Sequence, residues 1–192
     1  MNKEFLIVQL NHIENAKRVN RLRVANLVID NKELFPYLIE QVFEIDNKIS
    51  IKAAWILEFV CAERLSWLVP HLNYFTENIG KVKFGSAVRP LSKICGFLAK
   101  SYTSKNNSLN KIELKKNHTK KIIESGFDWL IGKQKVAVKV YAMETLFLLG
   151  KNIDWVHPEL KLIIELNITK ESAAYKAHGK KILSLLNKKI NR

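Results

Sequence analysis

The hexapeptide Trp67-Leu68-Val69-Pro70-His71-Leu72 has two related copies elsewhere in the chain. They are Glu33-Leu34-Phe35-Pro36-Tyr37-Leu38 and Trp155-Val156-His157-Pro158-Glu159-Leu160. Each copy places a proline before an apolar run, and proline is tolerated in the first turn of a helix because the N–H that it lacks would have no partner there. A helix-like segment precedes each copy and has a basic residue near its start: Arg18, Lys52 and Lys139. Recurrence of this kind is typical of stacked helical pairs and predicts a surface that binds a partner.

The repeat predicts an all-α protein, a HEAT-like α-solenoid of about five antiparallel helix pairs. We expect a single domain over residues 1–192, with units at about 13–48, 49–84, 85–133, 134–170 and 171–192. The basic residues Lys52, Arg89, Lys139 and Lys176 are spaced by 37, 50 and 37 residues, and the longest interval contains a polar connector at 102–110. Seven glycines and four prolines are too few for a turn-rich all-β protein.

Residues that favour helix starts refine the expected boundaries. Ser50 and Asp154 are predicted N-caps, and Ser172 is expected to begin the last helix. Pro70 is expected in the first turn of a helix that starts at Leu68. The helix after Ser50 is apolar on two faces, which predicts that it lies between neighbouring helices.

The charge of the chain is large and uneven. The formal net charge is +14, from 32 basic and 18 acidic residues. Residues 1–49 carry 7 basic and 7 acidic side chains, and residues 50–192 carry 25 and 11. Such an excess attracts nucleic acid, an anionic membrane or an acidic protein. The 26 lysines, together with abundant Asn and Ile, are also typical of an AT-rich coding bias, so both interpretations stay open at this point.

No motif for catalysis, a cofactor or a metal is present in the sequence, and we expect none of these sites. His71 and His157 flank the repeated prolines, which favours a structural role for both. Cys61 and Cys95 lack the spacing of a metal or redox pair and are expected to be buried, reduced thiols. The candidates for binding an anionic group or a partner are all basic: Lys52, Arg89, Lys115, Lys116, Lys120, Lys121, Lys139, Lys176 and Lys180.

These basic candidates fall into two sets. The residues that repeat (Lys52, Arg89, Lys139 and Lys176) favour a ladder of intramolecular ion pairs between repeats, because repeats reuse pairing positions. The densest cluster lies at 115–121, in the one unit without the proline hexapeptide. There a solvated lysine face and an interaction site are equally compatible with the sequence.

Two resemblances follow from these residues. A Val/Ile-Lys/Arg pair that opens a helix, as at Ile51-Lys52 and Val88-Arg89, resembles the HEAT-type repeat over almost the whole chain, from about Asn15 to Lys189. The segments at 52–61, 86–90 and 154–161 resemble a group of short bacterial proteins that automatic annotation often labels adenylosuccinate lyase. That label implies non-hydrolytic C–N cleavage of adenylosuccinate.

The chemistry of the label can be tested against the residues. Lyases of the fumarase and aspartase type carry a Ser-Ser-x-Met-Pro-x-Lys-x-Asn loop. Here Met1 and Met143 do not precede proline and no Ser-Ser pair exists, so the catalytic motif is absent. HEAT-like DNA glycosylases that excise alkylated bases use a basic groove with Trp and Asp, and this chain offers Asp128-Trp129 and Asp154-Trp155. Because Trp67 and Trp155 occupy equivalent repeat positions, both are predicted to pack at helix starts.

These observations together favour a non-enzymatic scaffold that binds a protein or another anionic partner. A nucleic-acid-binding module, including a divergent alkyl-base DNA glycosylase, is the first alternative, and the lyase is an alternative by label alone. Apolar runs are interrupted by charge before they reach membrane-spanning length, and Phe5-Leu6-Ile7-Val8 is too short for the core of a signal peptide. We therefore expect no membrane association and a cytoplasmic location.

Overall fold

The structure, a computed structural model, describes residues 1–104 and 111–190, the last two of these by their backbone alone. All regular structure in these residues is helical, which confirms the all-α prediction. Of the predicted connector at 102–110, Tyr102 and Thr103 still belong to a helix, and residues 105–110 lie outside the described part. The chain divides into two compact units, Met1–Phe97 and Leu98–Arg192.

The first unit is built from helices joined by short turns. Its α-helices are α1 (Lys3–Asn11), α2 (Arg18–Asp30), α3 (Phe35–Val42), α4 (Ile49–Arg64), α5 (Leu72–Asn78) and the larger part of α6 (Gly85–Thr103). Short 3-10 segments connect several of them: Lys32–Leu34, Leu65–His71 and Ile79–Lys81. Helix α1 was not predicted from the sequence, and its first turn is capped by Asn2 through a 3.0 Å hydrogen bond from the Phe5 N–H to Oδ1.

Helix α4 is the centre of the first unit. It contacts α1, α2 and α3, and it buries one face with Ala53, Leu57 and Val60 and the adjacent face with Ala54 and Cys61. This confirms the prediction that the helix lies between neighbours, because a helix that is apolar on two faces must bury both.

The repeated proline hexapeptide takes two forms. Pro36 lies in the first turn of α3, as expected, and Pro158 lies in the first turn of α9 (Val156–Asn167). Pro70 lies inside the 3-10 segment Leu65–His71, and α5 begins only at Leu72. The prediction of an α-helix from Leu68 is therefore wrong. Tighter 3-10 turns are common where an α-helix begins, and the sequence does not distinguish them from a first α-turn.

The two predicted N-caps are also corrected. Ser50 lies within α4 and its hydroxyl donates to the Asn47 carbonyl at 2.8 Å, whereas Asn47 Oδ1 accepts the Ile49 N–H. Asp154 precedes the cap residue of α9, which is Trp155 and has no side-chain cap hydrogen bond. Ser172 acts as expected, because its Oγ accepts the Tyr175 N–H at 3.4 Å. Asn, Asp and Ser compete for such positions, so the residue type alone does not fix the register.

The second unit follows the same plan around a central helix. Its helices after α6 are α7 (Lys116–Ile131), α8 (Val136–Leu149), α9 and α10 (Ala173–Ile190), and α8 contacts α7, α9 and α10. Helices α7 and α8 approach closely at Gly126, where an added Cβ would lie 3.2 Å from the side chain of Leu146. The division into repeat units and a single domain stays a prediction.

The two cysteines are buried in α4 and α6 and are free, as expected. Burial raises the pKa of both thiols. Among the described residues, no helix combines the length and the apolar composition needed to cross a bilayer.

Candidate partner-binding site

The start of α7 carries the densest lysine cluster of the chain. Lys115 is the N-cap residue and Lys116 the first helical residue, and both are exposed. The first turn of α7 contains no acidic residue. Because the N-terminus of a helix carries a partial positive charge, these lysines add to it and make this end strongly attractive to an anion.

The local fold holds this helix start in place without any acidic cap. The Nδ1 atom of His118 accepts the Lys115 N–H at 3.3 Å, and His118 itself is buried. The hydroxyl of Thr119 donates to the Lys116 carbonyl at 2.9 Å. The polar groups near the cluster are therefore used to fix the backbone, and the lysine side chains extend into solvent.

The lysines of the second turn are partly neutralised. Glu124 lies 3.2 Å from Lys121 Nζ and 3.9 Å from Lys120 Nζ. One carboxylate thus serves two cations, and such exposed helical pairs contribute only about 0.3–0.5 kcal/mol each. Lys116 has no ion pair within the described part of the chain. The cluster keeps a positive excess that a partner can neutralise.

A groove of about 580 Å³ adjoins this cluster within the second unit. Its apolar lining comes from α6, α7, the end of α8 and the turn between α8 and α9: Tyr102, Ile123, Leu149, Ile153 and Trp155. Its polar lining comes mainly from α7: Lys116, Thr119, Lys120, Glu124 and Asn152. We call this the lysine groove. Apolar walls with a few polar groups at one side are typical of a binding site.

Trp155 is the most exposed aromatic group of the lysine groove. Its side chain is 57% exposed, and its ring stacks on Phe127 with centroids 5.6 Å apart and planes 26° from parallel. The stack fixes one side of the indole and leaves a large apolar surface in solvent. The sequence favours packing at a helix start for Trp155 over the glycosylase alternative that paired it with Asp154, so its place beside these lysines was missed. The signal available in the sequence was its recurrence with Trp67, which pointed to packing.

The equivalent Trp67 behaves differently. It meets Phe35 edge-on, with centroids 5.6 Å apart, and Lys32 Nζ lies 5.4 Å from the centroid of its ring. It lines a smaller pocket of about 280 Å³ between α3 and the 3-10 segment before α5. Both tryptophans therefore pack on a neighbouring ring, and Trp155 differs in that more than half of its surface remains exposed.

The repeating cations do not share one role. Arg89 pairs with Glu58, and Lys139 donates to Glu171, so intramolecular pairing holds for these two. Lys52 donates instead to the backbone carbonyl of Asn11 at 3.0 Å. Lys176 and Lys180 have no ion pair among the described residues, and Lys180 is exposed.

No group of three or more His, Cys, Asp or Glu side chains in the described residues could hold a metal ion. The lysine groove combines an apolar wall with a cationic rim. Comparison of the chain with protein-family models, with curated proteins and with solved structures found no match.

Proposed function

We propose that the chain is a non-enzymatic HEAT-like scaffold that binds an acidic segment of a partner protein in the lysine groove. The observation that carries the proposal is the exposed apolar surface of Trp155 beside the cations of α7. The alternation of shorter and longer helices from α1 to α6 supports the solenoid, as does the central position that α4 and α8 each take within their own unit.

The composition of the groove indicates the chemistry of its occupant. Ile123 and Leu149 are buried at the base of the groove, and the exposed ring of Trp155 offers the apolar surface that an aliphatic or aromatic anchor of the partner would cover. Lys116 and Lys120 flank that surface and would pair with carboxylates on either side of the anchor. Charge complementarity would speed association, whereas burial of the anchor would supply most of the affinity.

The proposal is tested with a labelled peptide that has one Phe between runs of Glu, measured by fluorescence anisotropy. Two matched peptides replace the Phe with Ala or every Glu with Gln. We expect the complete peptide to bind at least about tenfold more tightly than either matched peptide, which corresponds to about 1.4 kcal/mol. Equal affinity for all three peptides would contradict the proposal.

Charge reversal in the protein provides the second arm. The double variant Lys116→Glu with Lys120→Glu is expected to bind the peptide at least about tenfold more weakly. The matched control is Lys133→Glu with Lys135→Glu, which makes the same charge change at exposed positions just before α8. Both doublets place negative charge near a helix N-terminus, so neither is expected to destabilise the fold. An equal loss of affinity in the control would show that only the overall charge matters.

Nucleic-acid binding is the second candidate, because an exposed indole beside lysines can stack on a base while the lysines contact phosphates. The carboxylate in the groove is Glu124, which is shared between Lys120 and Lys121, and we propose no base excision. Titration with duplex and single-stranded DNA and RNA at several salt concentrations tests this candidate. A linear fall of log affinity with log salt, lost on Trp155→Ala, would support it over the peptide.

A further inference from the structure

Two cations pair with one carboxylate in the first unit, and two more lie over the aromatic ring of the next residue in the chain. Arg89 Nη2 lies 3.4 Å from Glu58 Oε2, and Lys93 Nζ lies 2.7 Å from Glu58 Oε1. The guanidinium carbons of Arg18 and Arg21 lie 5.5 Å and 5.2 Å from the centroid of one ring, the neighbouring Phe59. We call Arg18, Arg21, Arg89 and Lys93 the arginine cluster. Helix α2 supplies Arg18 and Arg21, and α6 supplies Arg89 and Lys93. Helix α4 carries the carboxylate.

The cluster carries a formal excess of three positive charges, because Glu58 is the one carboxylate paired with it among the described residues. At Lys139, by contrast, one cation pairs with one carboxylate, that of Glu171. An excess of this size in one place is unfavourable for the fold by itself, since like charges repel and Arg21 is partly removed from water. A structural ion pair would need only one of these cations.

Arg21 experiences this excess most directly. Burial lowers the pKa of its guanidinium, and the neighbouring Arg89 and Arg18 act in the same direction against Glu58. Its Nε atom is buried and has no hydrogen-bond partner within the described part of the chain. A buried donor without an acceptor is uncommon in folded proteins and calls for an explanation.

Aromatic rings hold the cations in position. Arg21 lies 5.7 Å from the centroid of Trp55 as well as over Phe59, and Lys93 lies 5.6 Å from the centroid of Phe97. Stacking on a ring restrains a guanidinium without using its N–H donors. The side chains of Arg89 and Lys93 remain 35% and 33% exposed, so a solute can reach the cluster.

We propose that the arginine cluster is a binding site for the terminal phosphate of a phosphomonoester. Two or more guanidinium groups can bind phosphate oxygens in a bidentate manner, and a dianion matches a compact triple excess of charge. A phosphodiester chain carries one charge per group and is suited to a row of cations, which this site does not form. The inference is independent of the lysine groove, because it concerns other residues and another class of ligand.

The test uses glycerol 3-phosphate with the full chain, followed by calorimetry at constant ionic strength. Dimethyl phosphate, a monoanionic diester, is the matched ligand. We expect glycerol 3-phosphate to bind with a dissociation constant of about 1 mM or below and dimethyl phosphate to bind at least about tenfold more weakly. Equal affinity for the two, or none for either, would overturn the proposal.

Variants locate the site. We expect two variants, Arg18→Gln at an exposed position and Arg21→Gln, each to weaken binding about fivefold or more. We expect Glu58→Gln to strengthen binding, because it removes the carboxylate that competes with the phosphate. Arg23→Gln is the matched control, since Arg23 lies on the same helix, is exposed and contacts only Gln9 among the described residues at hydrogen-bond distance. Unchanged affinity in Arg18→Gln, or an equal loss of affinity in Arg23→Gln, would show that the ligand does not bind at the arginine cluster.

A single-stranded oligothymidylate gives the remaining outcome. One result would overturn the phosphomonoester proposal: the oligonucleotide binds, its binding is lost on Arg18→Gln, and glycerol 3-phosphate does not bind. The arginine cluster would then be assigned to a phosphodiester chain.

Discussion

Gly150 ends α8 and lies against the imidazole of His157 in α9. A Cβ at this position would be 2.4 Å from His157 Cδ2 and 3.0 Å from the Leu146 carbonyl oxygen. The imidazole stacks on Phe147, and its Nε2 lies 2.9 Å from the Phe147 carbonyl oxygen, to which it donates. The need for glycine here is one of space rather than of backbone angle, because the φ of −65° is ordinary. The position of His157 agrees with a structural role beside the repeated proline.

Gly150→Ala is expected to lower the free energy of unfolding by about 1–3 kcal/mol, because the new methyl group displaces His157 from its hydrogen bond and its stack. Urea denaturation measures the change. Gly85→Ala is the control, since nothing lies within 4 Å of a Cβ there. In a His157→Ala background the cost of Gly150→Ala is expected to shrink, and a full cost there would show that the backbone, not the imidazole, is responsible.

Single residues also show where sequence reasoning succeeded and where it failed. The lysines of the groove, Lys116 and Lys120, were found because a run of like charge is visible in any sequence. The apolar wall was missed because Tyr102, Leu149 and Trp155 come from separate elements, and only tertiary packing brings them together. The charge imbalance around Glu58 was likewise invisible, since its cations come from α2 and α6.

Among the elements, the existence of long periodic helices could be predicted, and their ends could not. The two apolar faces of α4 predicted its central position correctly. Residue propensities do not distinguish a first α-turn from a 3-10 segment such as Leu65–His71, so the end of this helix could not be predicted. Helix caps are equally hard to predict: the N-cap positions expected at Ser50 and Asp154 are occupied by Lys48 and Trp155.

Helix α10 packs on α8 and α9 and buries the Nε2 atom of His178, which has no hydrogen-bond partner in the described residues. Burial lowers the pKa of His178, Glu144 opposes the shift, and Lys181 adds to it. The unfolded chain therefore binds a proton more readily than the folded one. Stability is full above the unfolded pKa of about 6.5 and is lost as the pH falls through the lower folded pKa.

We expect the melting temperature to fall between pH 7.5 and pH 5, and to fall less in His178→Gln, which cannot take up the proton. His71 has a pKa lowered by burial and acts in the same direction, so part of the slope remains. The exposed His12→Gln serves as the control. The variants are compared by the slope of the melting temperature against pH and not by their absolute melting temperatures. An unchanged slope in His178→Gln would mean that this imidazole does not take up a proton in the unfolding transition.

For the molecule as a whole, charge is the property that most constrains behaviour. The net charge of +14 arises after residue 49, since residues 1–49 are balanced. A few ion pairs are partly buried, such as those of Glu58 and Lys139, and these are screened little by salt. Most of the others are exposed, as at Asp46 and Lys83, and contribute little. The repulsion between unpaired lysines is therefore the electrostatic effect that added salt changes most.

Raising NaCl from 0.1 M to 1 M shortens the screening length from about 10 Å to about 3 Å. We expect this to raise the melting temperature by about 2–4 °C, as relief of about 1 kcal/mol of repulsion would do in a chain of this size. The Lys133→Glu and Lys135→Glu variant has a formal charge of +10, obtained from +14 by two reversals, and should gain less. Sucrose at matched osmolality separates screening from solvent exclusion. A melting temperature that falls with NaCl would mean that the exposed ion pairs outweigh the repulsion, and the lysine excess would then be neutralised within the fold rather than left for an anionic partner.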